Sequence, residues 1–80
     1  MKKAYLVKAV WDEEAKVWSA EGINFGGLAT WAETIPQLTD KLKIMVPELL
    51  EAGEELEASE PEIPITLLME TAIIAHRPHA

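Results

Sequence analysis

The first third of the chain alternates between apolar and polar positions with the period of two that is typical of β-strands. In the stretch from Lys3 to Val10, one side carries Tyr5, Val7 and Ala9, and the other carries Leu6, Lys8 and Val10. The polar residues 12–16 predict a turn, and residues 17–21 predict a second strand that forms an antiparallel hairpin with the first. After Gly26 and Gly27, residues 28–32 predict a short third strand.

The pattern then changes to the period of an amphipathic helix. Thr34 is a favourable N-cap, Gln37 stands at the return position of a capping box, and Pro36 lies in the first turn, where its missing N–H has no cost. Gly53 is a natural stop. The apolar stripe of this helix consists of Leu38, Leu42, Met45, Val46, Leu49 and Leu50.

Pro47 interrupts this helical pattern. A proline inside a helix costs about 3 kcal/mol and clashes with the carbonyl four residues before it, here that of Lys43. The helix either kinks at Pro47 or ends there, with Pro47 beginning a second short helix. The stripe keeps its phase through Leu49 and Leu50, which favours the kink.

Residues 53–63 predict an acidic loop, since Glu54 to Glu62 carries five glutamates and few apolar side chains. The last element, Ile65 to Ala75, is predicted as a long strand, and residues 76–80 as a flexible tail. The order is βββαβ. The pattern predicts one α+β domain over residues 1–80, in two layers, with a four-stranded, largely antiparallel sheet and one kinked helix on one face.

A single helix covers one face of such a sheet, so apolar side chains on the other face remain uncovered. On the last strand these are Leu68 and Ile74. Exposed apolar area on a sheet face is usually a contact surface, and we predict these two residues as the interface of a homodimer or higher homo-oligomer. The alternative is that scattered apolar surface residues are ordinary.

Composition narrows the function classes further. Fourteen acidic side chains stand against seven basic ones, a formal net charge of −7. This balance predicts no direct binding to nucleic acid, and it favours attraction to a basic partner. No apolar run approaches the roughly 20 residues that span a bilayer, and the start of the chain lacks a secretory signal, so a cytoplasmic location without membrane contact is expected.

The sequence offers no recognisable catalytic, cofactor or metal site. It contains no cysteine, and the serines Ser19 and Ser59 belong to no nucleophile motif. His76 and His79 are separated by a proline close to the chain end. The expected protein is therefore not an enzyme and uses no cofactor or metal.

Several segments together resemble the HicB-like antitoxin family, most closely its short stand-alone branch of unknown function. These segments lie at residues 10–18, 27–30, 32–34 and 46–50, in the family's order and spacing. The resemblance implies a βββαβ fold with a tolerated proline near the helix end. It also implies a protein-binding module that neutralises a small basic HicA-like ribonuclease toxin. Where relatives commonly have an Asp-x-Pro-Gly turn, this chain has Asn24-Phe25-Gly26-Gly27.

Two hypotheses for the function remain. The first is a binding module of the antitoxin type, and the second is a homo-oligomeric ligand-binding or structural domain without a toxin partner. For the first, exposed acidic groups would steer the encounter, and an aromatic side chain would hold the complex. Phe25 is the predicted anchor, with the alternative that it packs on its own sheet. The predicted steering groups are Asp12, Glu13, Glu14, Glu54, Glu55 and Glu57.

Overall fold

The computed structural model describes residues 4–53 and 62–78. The elements are β1 (Tyr5–Asp12), β2 (Val17–Gly22), β3 (Ala29–Ala32), α1 (Ile35–Ala52) and β4 (Ile65–Glu70). The predicted order βββαβ and the α+β class are confirmed. Residues 54–61, which make up most of the predicted acidic loop, lie outside the described part of the chain, as do residues 79–80 of the predicted tail.

The four strands form one sheet in the order β3-β2-β1-β4. β1 pairs antiparallel with β2, and β2 pairs antiparallel with β3. β4 lies parallel to β1 on the other side, with Tyr5 opposite Ile65 and Val10 opposite Glu70. Two of these three pairings are antiparallel, so the sheet is largely antiparallel, as predicted.

The core lies between α1 and one face of the sheet. Tyr5, Val7 and Ala9 are buried, so of the two alternating sets of β1 this is the one that faces α1. From the helix, the fully or nearly fully buried residues are Leu38, Leu42, Val46 and Leu50, which are all members of the predicted stripe. Met45 and Leu49 are partly buried against this core. The helix therefore covers one face of the sheet and leaves the other face uncovered.

The helix ends where the sequence predicted. The Thr34 side chain accepts a hydrogen bond from the backbone N–H of Gln37 at 3.2 Å, which is the N-cap bond expected of Thr34. At the other end, the Gly53 N–H donates to the Leu49 carbonyl at 3.0 Å. These bonds satisfy helix-end groups that would otherwise lack a partner.

The helix continues without a break through Pro47. The alternative of a second helix starting at Pro47 is therefore wrong, and a local kink stays a prediction. Lys43, whose carbonyl loses its partner because proline has no N–H, is an exposed residue. Water can replace that hydrogen bond at the surface, which lowers the cost of the proline.

β4 is shorter than predicted. The strand ends at Glu70 rather than Ala75, and residues 71–78 are not in a strand. The physical reason is its position beside β1. Each β4 residue pairs with the residue 60 positions earlier, and β1 ends at Asp12, where the chain turns toward β2. Thr71 and Ala72 would lie opposite the last two residues of β1 but do not pair with them, and from Ile73 onward there is no residue of β1 left to pair with.

Candidate functional site

The turn between β1 and β2 holds the first predicted acidic cluster. The Asp12 carboxylate oxygen Oδ1 accepts hydrogen bonds from the backbone N–H groups of Glu14 at 3.0 Å and Ala15 at 3.1 Å. The Lys16 N–H closes the turn on the Asp12 carbonyl at 2.8 Å, and Lys16 adopts a positive φ of 59°. Asp12 is therefore committed to shaping its own turn.

Glu13 is held by its neighbours on the same turn. One carboxylate oxygen accepts a hydrogen bond from the Trp11 indole N–H at 2.6 Å, and the other pairs with the Lys16 ammonium. The hydrogen bond from Lys16, which has the largest effect, and the one from Trp11 hold the pKa of Glu13 below its ordinary value. Within the described chain, Glu14 is the member of this cluster whose carboxylate makes no hydrogen bond or ion pair.

Phe25 is buried in its own domain. Its side chain is 8% exposed, and its ring meets that of Tyr5 edge to face at a centroid distance of 5.6 Å. The structure thus shows the alternative in which Phe25 packs on its own sheet, and a side chain in this position offers little surface to a partner. The other predicted steering group, Glu54, Glu55 and Glu57, lies outside the described residues.

Asn24, beside Phe25, has a role that the sequence did not reveal. Its Oδ1 accepts a hydrogen bond from the Leu6 N–H at 2.8 Å, and its Nδ2 donates to the Ala4 carbonyl at 3.0 Å. The side-chain amide thereby fastens the loop after β2 to the first residues of β1. An aspartate at this position would accept the first bond but could not donate the second while ionised.

The uncovered side of the sheet, on the side away from α1, is called here the open face. Two rows of side chains cross it, following the register of the strand pairs. The first row is Trp31, Ser19, Val10 and Glu70, and the second is Ala29, Glu21, Lys8 and Leu68. A shallow depression of about 480 Å³ lies over the half of this face nearest β3.

Trp31 is the most exposed large apolar side chain of the open face, with 56% of its surface exposed. Lys41 of α1 reaches around the edge of β3, donates a hydrogen bond to the Trp31 carbonyl, and places its ammonium 4.6 Å from the centre of the indole ring. This cation–π contact orients the indole. The alternation in residues 29–32 could have placed Trp31 on this face, but it could not have revealed Lys41.

The two residues predicted as the oligomer interface lie in different parts of the structure. Leu68 lies on the open face and is 47% exposed, as predicted. Ile74 is 80% exposed but lies beyond the end of β4, so its expected position within the strand is wrong. On the same face, Lys8 of β1 and Glu70 at the end of β4 form an ion pair at 3.7 Å.

The described residues contain no group of three or more histidines or acidic residues that could hold a metal ion. No helix in the described ranges is long and apolar enough to cross a membrane. The open face carries one aromatic side chain, a few aliphatic ones and charges of both signs.

Comparison with known proteins finds a family model and a solved structure to which the chain is similar. A family model described as "Domain of unknown function (DUF1902)" matches residues 4–78. The chain is also similar to the crystal structure of the hypothetical protein TTHA1013 from the extremely thermophilic bacterium Thermus thermophilus. The two are 40% identical with a TM-score of 0.64, over 94% of this chain and 100% of that one. No curated protein matches the chain. Neither description mentions a toxin or an antitoxin, so the resemblance to HicB-like antitoxins stays a prediction.

Proposed function

The chain belongs to the DUF1902 family, and we propose that it is a non-catalytic protein-binding module that binds a small basic protein through the open face of its sheet. The observation that carries this proposal is Trp31. An indole that is 56% exposed on a sheet face leaves a large apolar area in water. Tryptophan is enriched at the centres of protein interfaces, where it supplies much of the binding energy.

The indole is also held in place before any partner binds. Lys41 contacts both the ring and the carbonyl of Trp31. A side chain that is already ordered loses less conformational entropy on binding, and more of its contact energy then appears as affinity. Val10, which is 36% exposed, and Leu68 extend the apolar part of the surface along its two rows.

Charge favours a basic partner. The chain has a net charge of −7, and the open face carries Glu21 and Glu70 against Lys8. The turn from Asp12 to Lys16, which joins β1 to β2, adds the carboxylate of Glu14. Such charges raise the rate of encounter with a positively charged protein. The resemblance to HicB-like antitoxins supports a ribonuclease toxin as this partner.

The test uses the full chain, coexpressed with the product of any small basic reading frame that adjoins its gene. If a complex co-purifies, Trp31→Ala should raise its dissociation rate by about 30-fold, which corresponds to the ~2 kcal/mol of a hot-spot residue. Ile44→Ala is the matched control, because Ile44 is 63% exposed on the helix, away from the open face. Circular dichroism verifies that both variants fold.

An unchanged dissociation rate for Trp31→Ala would remove the open face from the interface. If no basic protein co-purifies, the partner class itself is wrong. Submicromolar retention of RNA or DNA by the isolated chain at physiological salt would point to a different function.

A further inference from the structure

Among the described residues, the segment that follows β4 has no hydrogen-bonded partner. Ile73 is 87% exposed and Ile74 80% exposed, the highest values among the large apolar side chains of the described residues. Within the described chain, no hydrogen bond or ion pair involves residues 71–78. Because β1 turns away at Asp12, the sheet offers residues 73–77 no neighbouring strand.

The composition of this segment is nevertheless that of a strand. It continues β4 with Thr71, Ala72, Ile73, Ile74 and Ala75, in which threonine and isoleucine are β-branched and have high β-propensity. A short stretch of this kind beside an unpaired strand edge is a template for pairing with another chain.

The two edges of the sheet differ in this respect. At the β3 edge, the Lys41 ammonium caps the Trp31 carbonyl and so blocks a backbone group that another strand would need. A lysine on an edge strand is a common means of preventing edge pairing. No described side chain makes a comparable bond at the outer edge of β4.

We propose that residues 69–77 pair antiparallel with the same residues of a second copy of this chain, with Ile73 opposite Ile73 of that copy. The two sheets then join through their β4 edges into one eight-stranded sheet. This inference goes beyond the proposed function, because it uses the edge of the sheet rather than its open face.

Two-fold symmetry and the pairing of side chains favour this register over the two neighbouring ones. In an antiparallel pair related by a two-fold axis, a central residue faces its own copy, since directly opposite residues share a face. With Ile73 at the centre, Ile74 faces Ala72, and Glu70 faces His76 at the end of the pairing. Moving the centre to Ala72 would place Ile74 against the charged Glu70. Moving it to Ile74 would place Glu70 against Pro78, which has no N–H to donate.

The association is tested by light scattering and sedimentation velocity on the full chain. A dimer with twice the 8.9 kDa mass of the chain is expected at high micromolar concentration. The double variant Ile73→Lys, Ile74→Lys should remain a monomer at concentrations at which the natural chain dimerises. Both side chains are at least four-fifths exposed, so the fold of the monomer should be unaffected. Ile44→Lys, at an exposed isoleucine on α1, should leave the dimer intact.

Single cysteines test the register. The chain has no cysteine of its own, so a disulfide-linked dimer can only come from the introduced residue. Mild oxidation should cross-link Ile73→Cys, which faces its own copy, much faster than Ala72→Cys or Ala75→Cys, which do not.

A monomer throughout this concentration range would overturn the proposal. So would a dimer that survives the double lysine variant, or one that is lost in Trp31→Ala, because the copies would then meet at the open face. A cross-linking maximum away from residue 73 would overturn the register. These results are independent of partner binding, which Trp31→Ala tests in the complex.

Discussion

Replacing Asn24 with alanine removes two hydrogen bonds that join the loop after β2 to the start of β1. The side chain accepts from the Leu6 N–H at 2.8 Å and donates to the Ala4 carbonyl at 3.0 Å. A hydrogen bond contributes about 0.5–1.5 kcal/mol to the net free energy of unfolding. Because Asn24 is exposed, water partly replaces both bonds, and we expect a total loss of about 1–2 kcal/mol.

A loss of this size is large for a domain of 80 residues, whose free energy of unfolding is about 4–12 kcal/mol by the usual values per residue. With a urea slope of about 1 kcal/mol/M, the midpoint of unfolding should fall by about 1–2 M. The melting temperature should fall by about 4–8 °C for each kcal/mol. Urea titrations followed by tryptophan fluorescence and circular dichroism measure both the midpoint and the slope.

Two variants separate the contributions. Asn24→Asp keeps the acceptor for the Leu6 N–H and loses the donor to the Ala4 carbonyl, so it should lose about half as much stability or slightly more. Ile23→Ala leaves the backbone bond from its N–H to the Leu6 carbonyl in place and truncates a half-exposed side chain, so its effect should be smaller. If Asn24→Ala unfolds at the same urea concentration as the natural chain, the amide does not fasten the loop and this reasoning is refuted.

Three further predictions concern the hairpin, the turn and the core. Gly22→Ala should destabilise the fold, because a Cβ atom there would lie 2.6 Å from the Phe25 carbonyl oxygen. Gly26→Ala is the control, since its Cβ atom would meet nothing within 4 Å and the change should be tolerated. Equal urea midpoints for the two variants would contradict this prediction. The pKa of Glu13 is lowered, so its contribution to stability is present above the unfolded-state pKa and is lost as the pH falls through the folded-state pKa. In an NMR titration, Lys16→Ala should raise that pKa, and an unchanged value would show that Lys16 is not the cause. Leu50→Ala, at a fully buried position, should cost about 2–5 kcal/mol by chemical denaturation, and a cost below that of Ile44→Ala would contradict the placement of the core.

The sequence alone was sufficient to predict the features that depend on residues close together along the chain. The alternation of β1 separated Tyr5, Val7 and Ala9 from the residues of its other face, and the predicted helical stripe contained all four buried residues of α1. Which face of β1 is buried was decided only by the side on which α1 packs. Thr34 and Gly53 marked the helix ends, since capping is a local hydrogen-bonding property. The class and order of the elements follow from these local patterns.

The candidate site was only partly predictable. Leu68 was placed on the open face by alternation. Phe25 could not be placed from sequence, because its burial depends on contact with Tyr5, which lies 20 positions earlier. The contacts of Asn24 with Ala4 and Leu6, and of Lys41 with Trp31, likewise join residues that are distant along the chain.

The length of β4 shows why tertiary structure decides such features. The residues from Ile65 to Ala75 have strand-forming composition throughout, and the sequence therefore predicted one long strand. A strand, however, exists only where a neighbour supplies its hydrogen bonds. The pairing of β4 with β1 ends at Val10 and Glu70, and β1 itself ends two residues later at Asp12. Sequence periodicity determines which face of a segment is apolar, and the long-range pairing of the folded chain determines where the strand ends.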